Sequence, residues 1–265
     1  MSDRPDPTYR GDRSLNNGPD TCSSPYRIRF DEAAPDGLLR TSVVLRQAQD
    51  LAWHHSSERG FTRDWYAERG LVWLARAAEV AILAPVRVGD VLTGTTSVVG
   101  ARRVWARRRT TFVDRDGGLV AWTHVDWVLL DSRWAPTRIP REFDGVFGFG
   151  QTDLALARVD LDDAPDDAEI ARFSVRPQEL DPMDHANNAV YADWLDERVL
   201  AAGGEDGVTA VRAVPRLVRL EYAKAADRGM AITATTWPDP GGTGWSCRLA
   251  DEAGADLLRA RLEPG

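Results

Sequence analysis

VRPQELDPMDHANNAVYADWLDERVL, Val175 to Leu200, sets Asp181, Asp184, His185, Asn187 and Asn188 directly in front of an amphipathic helix. In that helix Tyr191, Trp194, Leu195 and Val199 fall on one face and Asp193, Asp196 and Glu197 on the other, which predicts one buried side. Upstream, ARFSVRP reads as a strand; downstream, AVPRLVRLEYAKAA, MAITATTWPD, GWSCRLADEAG and DLLRARLE read as strands parted by turn residues. A lone helix followed by a strand meander buries its apolar face by packing on the sheet that wraps it.

The same order stands in the first half. YRIRF (Tyr26 to Phe30) alternates like a strand and PDG (Pro35 to Gly37) is a turn. Thr41 or Ser42 then caps a helix in which Val44, Ala48, Leu51, Ala52 and His55 recur at a 3.6-residue period. LVWLARAAEVAIL, VLTGTTSVVG, VWARRRTTFVD and LVAWTHVDWVLLD follow as strands. Details repeat as well, VGDVLTGTTSVV answering to DRGMAITATTWP. The chain is one strand-helix-meander unit written twice. The expected fold is α+β: two helix-wrapped antiparallel sheets in tandem, paired edge to edge because each alone leaves an edge open. The expected organisation is a polar, disordered tail over 1–24, a first unit over 25–145, an acidic, proline-broken linker over 146–169 and a second unit over 170–265.

Chain-wide quantities narrow the function. A net charge of −8 and a pI near 5.1 exclude a general nucleic-acid binder, which needs a basic surface. One basic cluster, Arg102, Arg103, Arg107, Arg108 and Arg109, reads either as a solvated strand face or as a patch for an anionic partner. Cys22 and Cys247 are too few for a disulfide framework and have no metal-ligand spacing, so a reducing cytoplasm and no metal or redox cofactor are expected. No apolar run is long enough to insert in a membrane, and the N-terminus lacks a signal-peptide core.

VRPQELDPMDHANNAVYADWL resembles the active-site segment of hotdog-fold thioesterases of the acyl-ACP type, whose pattern is roughly D-x-N-x-H-V-N-N-x-x-Y. Three first-half stretches add to the likeness: YRIRFDEAAPDGLLRTSVVLRQAQDLAWHHS, GLVWLARAAEVAILAPVRVGDVL and THVDWVLLDSRWAPTRIPREF, the last similar to W-V-M-M-N-x-x-T-R-R-x-x-x-I-P-x-E-F. The resemblance implies a double hotdog forming one pseudo-dimer and a hydrolase that frees a fatty acid from acyl carrier protein or from acyl-CoA. A homodimer stays open.

Thioester hydrolysis needs a group that activates water or attacks the carbonyl, donors for the oxyanion, and a slot for the acyl chain. The resemblance gives Asp181 the role of general base or nucleophile; read as a residue alone, it is also a loop acid suited to turns. His185 matches the pattern's histidine, able to orient water or protonate the leaving thiolate. Asn187 and Asn188 divide between helix N-cap and substrate contact, and the helix start after Asn187 offers N–H groups to a carbonyl. Trp53, Tyr191, Trp194 and Leu195 are expected at the slot, and Glu221 as a substrate contact or a strand-surface acid. Arg102, Arg103 and Arg107, with Arg138 and Arg141, would bind the carrier or the phosphates of coenzyme A.

Three positions depart from the pattern. Met183 replaces its Asn, and Ala225 and Ala226 replace the acid and cysteine of L-E-Y-x-x-E-C. The first-half loop EAAPDGLLR lacks H-x-N-N, so one active site is expected. Cys247 reads as a small buried hydrophobe rather than a nucleophile. A non-catalytic acyl-ligand binder and an acyl-thioester hydratase or dehydratase are the alternative readings.

Overall fold

In the computed structural model, which describes residues 20–148 and 154–265, strand β1 (Cys22–Arg27) begins inside the stretch expected to be tail; residues 1–19 of that tail lie outside the described residues. The first unit continues with α1 (Thr41–Glu58), α2 (Arg63–Arg69), β2 (Val72–Ile82), β3 (Val91–Arg102), β4 (Trp105–Val113), β5 (Leu119–Leu130) and α3 (Arg141–Phe147). The second has β6 (Glu169–Ser174), α4 (Val190–Arg212), β7 (Arg216–Tyr222), β8 (Ala231–Pro238), β9 (Trp245–Ala250) and β10 (Asp256–Pro264).

All ten strands form one sheet in the order β1-β3-β4-β5-β2-β7-β10-β9-β8-β6. The order reads alike from both ends: β2 answers to β7, β5 to β10, β4 to β9, β3 to β8 and β1 to β6. The double hotdog follows, with each unit's open edge closed by the other along an antiparallel β2–β7 seam from Ala77↔Glu221 to Ile82↔Arg216. A β-bulge between Ala75 and Ala77 ends that ladder, so Val72 to Ala75 pair only with β5.

Both helices pack on one face of the sheet. Val44, Ala48, Leu51 and His55 of α1 and Tyr191, Trp194, Leu195 and Val199 of α4 are buried, as the helical periods predicted. Asp196 departs from its expected outward place. It is half-buried, and its Oδ1 is occluded without a hydrogen-bond partner among the described residues. Helix α4 also runs past Gly203, bending at Gly204 (φ 53, ψ −123), a conformation that suits glycine.

Helices α2 and α3, unanticipated because seven-residue helices carry little periodicity, hold a second aromatic core in which Phe61 stacks on Phe143 at 4.0 Å. From Leu154 to Val159 the connector is tied to the outer face of the sheet. Ala157 N–H donates to Asp126 Oδ2 (2.8 Å) on β5, and Val159 N–H to Glu221 Oε2 (2.9 Å) on β7. This strap crosses the seam.

Candidate active site

The loop between β6 and α4 is a tight turn set by its backbone. Asp181 N–H donates to His185 O (2.9 Å) and Asp184 N–H to Asp181 O (2.9 Å), with Leu180 and Ala186 bridged across the turn. Asp184 sits at φ 63, a left-handed conformation that Asp tolerates. Half-buried Asp181 accepts Met183 N–H on Oδ1 (2.8 Å). His185 Nε2 lies 3.3 Å from Asp227 Oδ1, and its ring meets Trp134 of the first unit edge-on at 5.4 Å. Trp134 itself sits at φ 60, an uncommon and costly conformation for a bulky residue.

Glu179 anchors the approach to α4. Its carboxylate accepts from Trp194 Nε1 (3.1 Å) and Arg176 N–H (2.7 Å), and its carbonyl accepts Asn187 N–H (2.9 Å). The two asparagines have different surroundings. Asn187 Oδ1 accepts Ala189 N–H (2.9 Å) and its carbonyl accepts Val190 N–H (2.9 Å), a capping role, while its Nδ2 donates to Gln49 Oε1 of α1 (3.4 Å). Asn188 faces a cavity.

The first unit contains the same turn without its chemistry. Ala34 N–H donates to Leu38 O (2.8 Å), Gly37 N–H to Ala34 O (2.8 Å) and Arg40 N–H to Glu32 O (3.2 Å). These bonds superpose Ala34 on Asp181, Leu38 on His185 and Arg40 on Asn187. The bridge of His185 with Asp227 answers to that of Leu38 with Arg87. Glu32 repeats Glu179, its carboxylate taking Arg29 N–H (2.8 Å). So the glutamate serves the fold twice, whereas the positions of Asp181 and His185 hold Ala34 and Leu38 in the first unit, whose turn places its aspartate at Asp36, accepting Leu38 N–H on Oδ1 (3.0 Å).

A narrow apolar cavity of about 10 Å³, room for about one water, lies where the bulge opens the seam. Leu45 and Gln49 of α1, Ala75 and Ala78 of β2, Val125 and Trp127 of β5, Tyr222 of β7 and Asn188 line it. Tyr222 OH donates to Asn188 O (3.0 Å), fixing the asparagine at the wall, and burial pushes its phenol pKa well up.

The slot expected from Trp53, Tyr191, Trp194 and Leu195 is corrected by this lining. Trp53 continues the Leu45–Gln49 row one turn further, beyond the cavity, and is 46% exposed. Tyr191 is a core pillar: its OH accepts Ala226 N–H (3.0 Å) and its ring meets Trp194 and Tyr222 edge-on. Trp194 and Leu195 are likewise core. Glu221 alternates to the other face from Leu220 and Tyr222, where it takes Arg76 Nη2 (2.9 Å) and the strap, so it does not reach the cavity.

The family profile described as acyl-ACP thioesterase N-terminal domain matches residues 19–144, and the acyl-ACP thioesterase C-terminal domain matches 162–261. The chain belongs to the acyl-ACP thioesterase family. A chloroplastic acyl-[acyl-carrier-protein] hydrolase of Cuphea viscosissima is 23% identical over 90% of this chain, which spans 61% of that relative's length. Among solved structures, the Lactobacillus plantarum protein described as an oleoyl thioesterase superposes with a TM-score of 0.83 at 20% identity, covering 94% of this chain and 97% of its own. The 12:0-ACP thioesterase of Umbellularia californica gives 0.75 at 23% identity, covering 92% and 96%. These likenesses establish the fold.

In this acyl-ACP thioesterase family member the arginine cluster is mostly internal. Strand β4 is an inner strand, not a sheet edge. Arg107 is held bidentate by Asp126 (2.6 and 2.7 Å), Arg108 is buried against His55 Nδ1 (2.8 Å), and Arg109 is buried. Arg102 and Arg103 stay exposed, Arg102 reaching Leu154 O (3.4 Å). Cys247 is fully buried, and burial pushes its thiol up to about 11, the state of an inert core cysteine. No group of His, Cys, Asp and Glu among the described residues is arranged to hold a metal, and no helix among them is long and apolar enough to cross a membrane. Sequence reasoning missed Gln49, Trp127 and Asp227; the four-residue step from Leu45 was the available signal for Gln49.

Proposed function

We propose that the chain hydrolyses acyl thioesters, releasing a fatty acid from acyl carrier protein in the cytoplasm. The observation that carries this reading is the loop of Asp181 and His185 ahead of α4, followed by Asn188 at the wall of the small apolar cavity beside α1. The cavity holds about one water, so an acyl chain enters by parting the side chains that line it, and the amide of Asn188 at its wall supplies a donor to the developing oxyanion. Asp181 then activates water or attacks the carbonyl, and His185 hands a proton to the departing thiolate. Water adds across the C–S bond, giving a carboxylic acid and a thiol. The first unit builds the matching turn with Ala34 and Leu38 at these two positions and its aspartate at Asp36 instead, which supports a chemical role for an acid and an imidazole at Asp181 and His185. The curated relative named an acyl-carrier-protein hydrolase supports the carrier over coenzyme A as the thiol partner.

Thiol release from acyl carrier protein and coenzyme A thioesters of graded chain length tests this reading. We expect turnover with at least one acyl carrier thioester, and a loss of about 10²-fold or more in Asp181→Ala. No release from any of them, or an unaltered rate in Asp181→Ala, would remove the proposal. A non-catalytic acyl binder is favoured by Met183, whose exposed side chain stands in place of an amide. Saturable binding of an acyl thioester without thiol release would select it.

A further inference from the structure

His185 has a carboxylate partner that sequence spacing did not nominate. Its Nε2 faces Asp227 Oδ1 at 3.3 Å, the two residues being paired in an isolated antiparallel bridge. Trp134 packs on the ring from the first unit, so the imidazole is confined on two sides. The neighbouring charges are engaged elsewhere: Asp184 pairs with Arg228 at 2.5 Å, and Asp181 Oδ1 takes Met183 N–H.

Resting on the hydrolase reading, we infer that Asp227 is the positioning carboxylate of His185. A carboxylate at Nε2 fixes the ring and favours the tautomer protonated there, which leaves Nδ1 as the accepting nitrogen. Two observations carry the assignment. Ala225 and Ala226 occupy the acid and cysteine positions that follow L-E-Y, and the first acid beyond β7 is Asp227, two places after the acid position. In the first unit the same bridge joins Leu38 to Arg87, so the backbone there needs neither imidazole nor carboxylate. An acid that served the bridge itself would have a counterpart in that unit. This one appears only opposite a histidine.

The test uses the full chain with Asp227→Ala, Asp227→Glu and Asp227→Arg, the last installing the residue that the equivalent bridge already carries. We expect Asp227→Ala and Asp227→Arg to lower kcat by about 10-fold or more with KM held within about 2-fold, and Asp227→Glu to recover most of the loss. In a His185→Ala background, Asp227→Ala should add nothing, because the acid acts through the ring. An equal loss with and without His185 would overturn the assignment. Nitrogen NMR of ring-labelled protein at alkaline pH gives a readout that needs no turnover. Wild type should hold His185 in the Nε2–H form, and Asp227→Ala should let it relax towards the mixture of a free imidazole. If wild type releases no thiol, the hydrolase reading falls while the tautomer still decides the contact, an unchanged tautomer overturning it.

Discussion

Asp196 shows how one buried carboxyl couples this fold to pH. Burial pushes it up to about 7 from an ordinary 3.8, Asp193 adding to the rise while Arg216 and Arg40 oppose it. Because the folded value is the higher one, the native chain keeps a proton that the unfolded chain has already released. This group's contribution is full below about pH 4 and is lost as pH climbs through 7. We expect Asp196→Asn to match wild type near pH 4 and to be about 1 to 3 kcal/mol more stable at pH 8, read from thermal melts at the two values. A constant gap would refute the coupling. Gln49 carries a second residue-scale prediction. Gln49→Leu removes the Asn187 contact without enlarging the cavity, and should cost about 1 kcal/mol of transition-state binding, roughly 5-fold in kcat/KM, measured by thiol release. At this scale the sequence displayed the catalytic candidates, since Asp181, His185 and both asparagines sit within eight positions. It concealed Asp227 and Gln49, which meet that loop only through pairing and helix packing over long separations.

Among elements, α1 and the first stretch of α4 were legible because each has a strong apolar stripe, and most strands because they alternate between turn signals. The end of α4 was not. The apolar stripe read from the sequence reaches only Val199, whereas the helix bends at Gly204 and resumes, with Gly207 brought against the first stretch. A Cβ at Gly207 would stand 2.3 Å from Val199 O, a backbone atom that cannot swing aside. Gly207→Ala should therefore destabilise the chain by about 1 to 3 kcal/mol, seen as a lowered urea midpoint. Slot residues were misjudged for a related reason. Trp53 lies on the right helical row, but the cavity ends one turn earlier, and a row gives direction without giving depth.

At the level of the whole molecule, duplication was visible in repeated turns and strands, and the symmetric strand order accounts for why two units share one chain. Neither β2 nor β7 has another partner on its seam side, so either unit expressed alone should aggregate or self-associate in size-exclusion chromatography; a well-behaved monomer would contradict the role given to the seam. The acidic connector was expected as a repelling loop; Asp160, Asp162, Asp163, Asp166 and Asp167 are exposed, while Glu169 is half-buried at the start of β6. Its ordering over the sheet came from inward backbone N–H groups, which composition does not report. Glu221→Ala should free Val159 N–H and Arg76, costing about 2 kcal/mol and speeding amide exchange around residues 157–160.

The mirrored turns have a stoichiometric corollary. A true dimer of identical copies must write every substitution twice and so carries paired, equivalent centres. Fusion allowed Ala34, Leu38 and Arg87 to persist opposite Asp181, His185 and Asp227, and it let α1 of the silent half lend Gln49 to the other. Calorimetric titration with a non-cleavable acyl thioester analogue should thus saturate at a single equivalent per polypeptide.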